Sequence, residues 1–143
     1  MTWPGGRGEI GPGFVILVGV GPDDTDATAL KMAEKVVGLR VFPDADGRMN
    51  RSLEESGGSA LVVSQFTLYA DLRRGRRPSF IGAAEPAAAD RLYLRFAAAL
   101  RERGVTVATG AFGSEMDVEL VNAGPVTLVI SSDDWSTRVN GVA

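Results

Sequence analysis

The chain has 143 residues, 45% apolar and 23% charged, with a net charge of −3. That is the makeup of a globular protein with no overall basic field for coating nucleic acid. It contains no cysteine and no histidine. This excludes disulfides, thiol nucleophiles and Ser-His-Asp or Cys-His catalysis, and nearly excludes zinc chemistry.

In chain order, residues 1–13 are rich in glycine and proline and predict a loop, with 1–8 as a lead-in. Phe14 to Val20 is a continuous apolar run, read as a strand buried on both faces. It is too short to span a bilayer, which takes about 20 residues. Met1-Thr2-Trp3-Pro4-Gly5-Gly6 lacks the apolar stretch of a signal peptide. A helix follows, capped by Asp24 or Thr25, with Leu30, Ala33, Val36 and Val37 on one face. Leu39 to Phe42 predicts a short strand, and Pro43-Asp44-Ala45-Asp46-Gly47 a turn. This segment is too short for a calcium-binding loop and has no closing glutamate.

Ser59 to Leu68 predicts a second long strand. Pro86 opens the clearest helix, with Ala89, Leu92, Tyr93, Phe96 and Leu100 as its apolar stripe and Gly104 past its end. Strands are expected at Val105–Ala108, at the alternating Met116–Leu120, and at Val126–Ile130. Ser131 to Ala143 reads as a polar tail. The expected fold is a single α+β domain over residues 1–143. It has a mixed, largely antiparallel, barrel-like sheet with two packed helices.

Four groups of residues could carry chemistry. Ser64 and Thr67 end a buried strand. Their hydroxyls either line a pocket or bond local backbone, the commoner fate of such residues. With no histidine and no base nearby in sequence, either would be a poor nucleophile, so Thr67 is read as orienting a substrate rather than attacking it. Gly124-Pro125 is either turn punctuation or a cis bond that presents two carbonyls on one side, able to obstruct one substituent of a chiral centre. Arg73-Arg74-Gly75-Arg76-Arg77 is the only dense basic cluster, either a solvated loop or a set of phosphate contacts. Phe112 and Met116 flank Gly113 and could sandwich a base, or could pack in the core.

Two segments, Ser64-Gln65-Phe66-Thr67-Leu68-Tyr69 and Asn122-Ala123-Gly124-Pro125-Val126-Thr127, resemble the signature motifs of bacterial-type D-aminoacyl-tRNA deacylases. Leu39-Arg40-Val41-Phe42, Asp46-Gly47-Arg48-Met49-Asn50, Gly75-Arg76-Arg77-Pro78-Ser79-Phe80 and Gly110-Ala111-Phe112-Gly113 extend the likeness from about Gly8 to Ile130. The resemblance implies a cytoplasmic homodimer that cuts the ester between a D-amino acid and tRNA, with no cofactor, metal or membrane. Ser64, Gln65, Phe66 and Thr67 would line the pocket. Gly124 and Pro125, entering from the other subunit through a cis bond, would exclude L-amino acids while passing glycine. Phe112 and Met116 would bound the terminal adenosine and amino group, and Arg73, Arg74, Arg76 and Arg77 would meet tRNA phosphates.

These implications fit the missing histidine and cysteine. The neighbouring 2′-hydroxyl of the terminal ribose can assist hydrolysis, with backbone N–H groups near Phe66 and Thr67 stabilising the oxyanion. One feature departs from the family. Trp3-Pro4-Gly5-Gly6 stands where the family has a first strand of the form Met-Arg-Ala-Val-Val-Gln-Arg-Val. The expectation is an exposed apolar sheet edge, and either coding sequence upstream of Met1 or a weakened chain. The competing readings are a tRNA-binding homologue that has lost activity and a dimer that binds a small molecule in its interface cleft.

Overall fold

The computed structural model describes residues 1–135. Its centre is a three-stranded parallel sheet of β3 (Gly13–Val18), β6 (Ser59–Ser64) and β7 (Val107–Thr109), with β6 in the middle. Gly13 pairs with Ser59, Val18 with Ser64, and Ala60 with Val107. Two short antiparallel pairs complete the strands. They are β1 (Thr2–Trp3) with β2 (Gly6–Arg7), and β4 (Phe42–Pro43) with β5 (Met49–Arg51).

The α+β class holds, but the arrangement differs from the largely antiparallel, barrel-like sheet with two helices. The central sheet is parallel, no sheet closes, and there are three α-helices among the described residues. The cause is connectivity. α1 (Asp26–Val37) lies between β3 and β6, and α3 (Pro86–Glu102) between β6 and β7, and helical crossovers join parallel strands. The third helix, α2 (Leu53–Ser56), is one turn with a Ser52–Glu55 capping box.

Each main helix starts where its sequence supplies a start signal. Thr25 caps α1, its hydroxyl accepting from the Thr28 N–H at 3.3 Å. Pro86 opens α3. Leu92, Tyr93, Phe96 and Leu100 of α3 are buried against Ala29, Ala33, Val36 and Val37 of α1 and against Ala60 and Val62 of β6. Leu30, expected on the buried face of α1, is exposed; Ala29 takes that place. Burying a side chain of the Val, Leu or Phe kind contributes about 1.5–3 kcal/mol, so this cluster dominates stability.

The opposite sheet face is thinly covered. Met1, Leu61 and Val63 form a small cluster with Trp3, Ile10, Ala108, Met116 and Val118. Residues 1–8, expected as a lead-in loop, contain the β1–β2 hairpin. Gly6 makes this hairpin possible, because a Cβ there would lie 2.6 Å from the Trp3 ring. Thr2 and Asp117 exchange backbone hydrogen bonds of 3.0 and 2.9 Å. The hairpin reaches β6 but leaves Val15 and Leu17 of β3 36% and 47% exposed, so this edge strand alternates instead of being buried on both faces. β3 is the outer strand of this sheet and pairs only with β6 among the described residues.

No strand forms at Met116–Leu120 or Val126–Ile130. Apart from the isolated Thr2–Asp117 bridge, these segments pair with no strand among the described residues, and Val129 and the neighbouring Val121 are more than 90% exposed. Of the expected polar tail, Ser132–Trp135 forms a 3₁₀ turn, and the remainder lies outside the described residues.

Candidate active site

β6 delivers the first segment. Ser64 is its last residue, and the Gln65 N–H donates to the Val18 carbonyl at 2.8 Å, extending the parallel ladder by one bond. The expected strand stops here. Phe66–Tyr69 turns into a 3₁₀ helix, closed by the Leu68 N–H to the Gln65 carbonyl at 3.2 Å and the Ala70 N–H to the Thr67 carbonyl at 3.1 Å. The Gln65 side-chain amide donates to the Thr67 hydroxyl. The Phe66 and Thr67 N–H groups, in the first turn, meet no acceptor among the described residues. Phe66 is exposed and stands edge-on to Phe80, ring centres 5.0 Å apart. An open pocket of about 570 Å³ follows, lined by Leu68, Tyr69, Ala70, Asp71, Leu72 and Arg73.

The second segment is a turn in solvent. The Gly124–Pro125 bond is cis, one of the two readings open for this dipeptide. Asn122 clamps the turn. Its Oδ1 accepts from the Val126 N–H at 2.9 Å, and its Nδ2 donates to the Thr127 hydroxyl at 3.0 Å. No hydrogen bond or ring contact links this turn to Ser64–Thr67 within the chain, among the described residues.

Phe112 and Met116 pack into different hydrophobic clusters and not against each other, so they do not form the sandwich that their spacing around Gly113 suggested. Phe112 packs with the helix-side core, its ring centre 6.2 Å from that of Tyr93, and Met116 joins the cluster around Met1. Both are half-buried, so each has a packing role and an accessible edge.

The basic loop is tied at its base by the Asp71 and Ser79 backbones, which exchange bonds of 2.7 and 3.1 Å. Arg73 folds back onto Asp71 through Nε at 2.8 Å and a terminal nitrogen at 2.7 Å. This fork holds the Asp71 carboxyl below its ordinary range and raises Arg73 above its own. Arg74, Arg76 and Arg77 are exposed, with no ion pair among the described residues.

The sequence model of the D-Tyr-tRNA(Tyr) deacylase family matches residues 6–131, which include both segments and the basic loop. The chain belongs to this family. It is 58% identical over 126 residues to a D-aminoacyl-tRNA deacylase of Symbiobacterium thermophilum, covering 88% of this chain and 83% of the relative. A Bacillus subtilis relative, 52% identical over 125 residues and covering 87% and 95%, is described as an inactive D-aminoacyl-tRNA deacylase. Among solved structures, a c-Myc DNA unwinding element binding protein superposes with a TM-score of 0.79 at 34% identity, covering 86% and 84%.

Within this deacylase framework, Asn122 and Tyr69 stand in the two motif segments with no role assigned to them from sequence. Asn122 belongs to a residue type able to bond backbone a few residues on. Tyr69 carries no such signal, because its neighbours are distant in sequence. Burial, then Asp24 and Asp133, raise the Tyr69 phenol above its usual value.

Proposed function

We propose that this chain hydrolyses the ester of D-aminoacyl-tRNA, releasing the D-amino acid and free tRNA. The observation that carries the reading is the Ser64–Thr67 turn. It is fixed at the end of the central buried strand, with the Phe66 and Thr67 amides unengaged and no histidine or cysteine in the chain to act as base or nucleophile. Water adds to the ester carbonyl, the two amides receive the developing oxyanion, and the bond to the ribose oxygen breaks. The neighbouring 2′-hydroxyl of the substrate, held close once the ester is bound, supplies the proton handling that the protein lacks. Ser64, Gln65, Phe66 and Thr67 line the pocket, and the Thr67 hydroxyl orients the substrate.

Gly124 and Pro125 form the chiral gate, supplied by the second subunit of a homodimer. Two observations support that assembly. The turn is exposed and makes no polar or ring contact with Ser64–Thr67 in its own chain, and Leu120, Val121, Leu128 and Val129 around it are exposed apolar residues. Phe112 and Met116 border the terminal adenosine and amino group. Arg73, Arg74, Arg76 and Arg77 contact tRNA phosphates. The enzyme works in the cytoplasm as one deacylase domain, without cofactor or metal. Glycyl-tRNA(Ala) is a second substrate, because a gate against side chains cannot reject hydrogen.

The inactive Bacillus subtilis relative favours keeping one alternative, a tRNA-binding homologue with weakened catalysis. Purified protein incubated with D-tyrosyl-, L-tyrosyl- and glycyl-tRNA separates the readings. The proposal expects release of D-tyrosine and glycine but not L-tyrosine, and strong loss when the terminal 2′-hydroxyl is replaced by hydrogen. Binding of all three without release would support the weakened homologue. Equal cleavage of both enantiomers would remove the gate.

A further inference from the structure

We infer that Tyr69 is a positioning residue for the Ser64–Thr67 turn, and that Gly19 and Gly21 are glycine in order to seat its ring. The inference rests on the turn being the catalytic element proposed above. Neither glycine has a φ in the left-handed region, so backbone conformation does not demand glycine at either place. Space does. A Cβ on Gly21 would lie 2.6 Å from the Tyr69 hydroxyl oxygen, 3.1 Å from Cζ and 3.3 Å from Cε1. A Cβ on Gly19 would lie 3.2 Å from both Cδ2 and Cε2 and 3.1 Å from the Leu68 Cβ. Gly82 comes near the ring from another loop, where a Cβ would lie 3.8 Å from Cδ1.

The seat matters because of what lies at the two ends of the turn. Its start is fixed by the Gln65 N–H on the Val18 carbonyl, and its end by the Tyr69 ring against Gly19 and Gly21. Both anchors are on the same short stretch at the end of β3. That stretch is itself held, by the Gly21 N–H donating to Asp24 Oδ2 at 2.7 Å and the Ala84 N–H donating to the Val20 carbonyl at 2.9 Å. The Phe66 and Thr67 amides sit between the two anchors. Pushing the ring out swings the far end of the turn and re-aims those amides. A donor displaced by about 1 Å from an oxyanion can cost on the order of a hundredfold in rate.

The test uses Gly21→Ala, Tyr69→Phe and the double variant in the full chain. Tyr69→Phe keeps the ring and removes only the hydroxyl oxygen, so its own kcat is the reference against which the double variant is read. Gly21→Ala should lower kcat for D-tyrosyl-tRNA at least about tenfold with KM within about threefold, since it disturbs the reacting end rather than tRNA contact. The double variant should recover part of the kcat lost by Gly21→Ala, because the atom at 2.6 Å is gone while the ring carbons at 3.1 and 3.3 Å remain. Amide NMR shifts of Phe66 and Thr67 should move in Gly21→Ala and return in the double variant. This readout holds even if the wild type proves inactive, which would overturn the proposed function and not the seat. If Gly21→Ala does not fold, recovery of folding in the double variant supports the seat equally. A Gly21→Ala protein with wild-type kcat and shifts, or a double variant as impaired as the single one, overturns it.

Discussion

The Ser64–Tyr69 segment and the Asn122–Thr127 turn carry the two halves of the proposed site, and they are held by opposite means. The first continues a strand whose Ala60 and Val62 are fully buried, and distant elements fix its ends. The second is exposed throughout and held by the side chain of Asn122. The half proposed for the chemistry is anchored to the core strand, although none of Phe66–Tyr69 is itself buried. The half proposed to discriminate is built locally, and its flanks are exposed and apolar. Damage to the core should therefore remove everything, whereas damage to the clamp should change selectivity before stability.

The largest effect should come from Phe96→Ala, which empties the helix-side core under β6. A loss of about 3–5 kcal/mol is expected for such a truncation. Thermal unfolding should then show a fall in melting temperature of about 10 °C or more, with activity lost in parallel. A purely local effect on activity at unchanged stability would contradict the dependence of the first segment on the core.

Asn122→Ala should have a smaller effect of a different kind. It removes two hydrogen bonds, each worth about 0.5–1.5 kcal/mol at most in so exposed a turn. The melting temperature should move by only a few degrees. The ratio of D-tyrosyl- to L-tyrosyl-tRNA cleavage should fall by about tenfold. Asn122→Asp keeps the acceptor for the Val126 N–H and loses the donor to Thr127, so it should fall in between. An unaltered ratio in the alanine variant would show that the clamp does not set selectivity.

Neutralising Arg76 and Arg77 together should have the smallest effect on chemistry. Binding to tRNA should weaken, and the slope of log affinity against log salt should drop by about 0.7–0.9 for each phosphate left unneutralised. Chiral selectivity should stay the same. A slope that does not change would mark the loop as solvated charge. Arg73 is the poorer target, because Asp71 already engages its guanidinium.

Features that depend on neighbouring residues were legible in the sequence. Pro86 and the stripe from Leu92 to Leu100 defined α3, and the Asp44 turn closes as read, with Asp44 Oδ1 accepting from the Asp46 and Arg48 N–H groups. Features that depend on partners distant in sequence were not. Val15 and Leu17 looked like interior residues because the run around them is unbroken, yet the sheet offers them no cover. Val126–Ile130 has strand composition and no strand beside it. The parallel order was implicit in the alternation of strands with helices, although the sheet was expected to be largely antiparallel. For the proposed site, the motif residues stand out in the sequence, whereas the contacts that hold them do not. The seat of Tyr69 joins residues about fifty apart, a separation at which local pattern carries no information.

The base of the basic loop also bears on engineering. Asp71 and Ser79 are already paired, so the ends of the loop stay together whatever lies between them. Lengthening its tip at Gly75 adds only loop entropy, about 0.6 kcal/mol for each doubling. A fluorescent or affinity group placed there would ride on a closed hairpin at the rim of the pocket, sensing approach of an RNA backbone without touching the strand that holds the site.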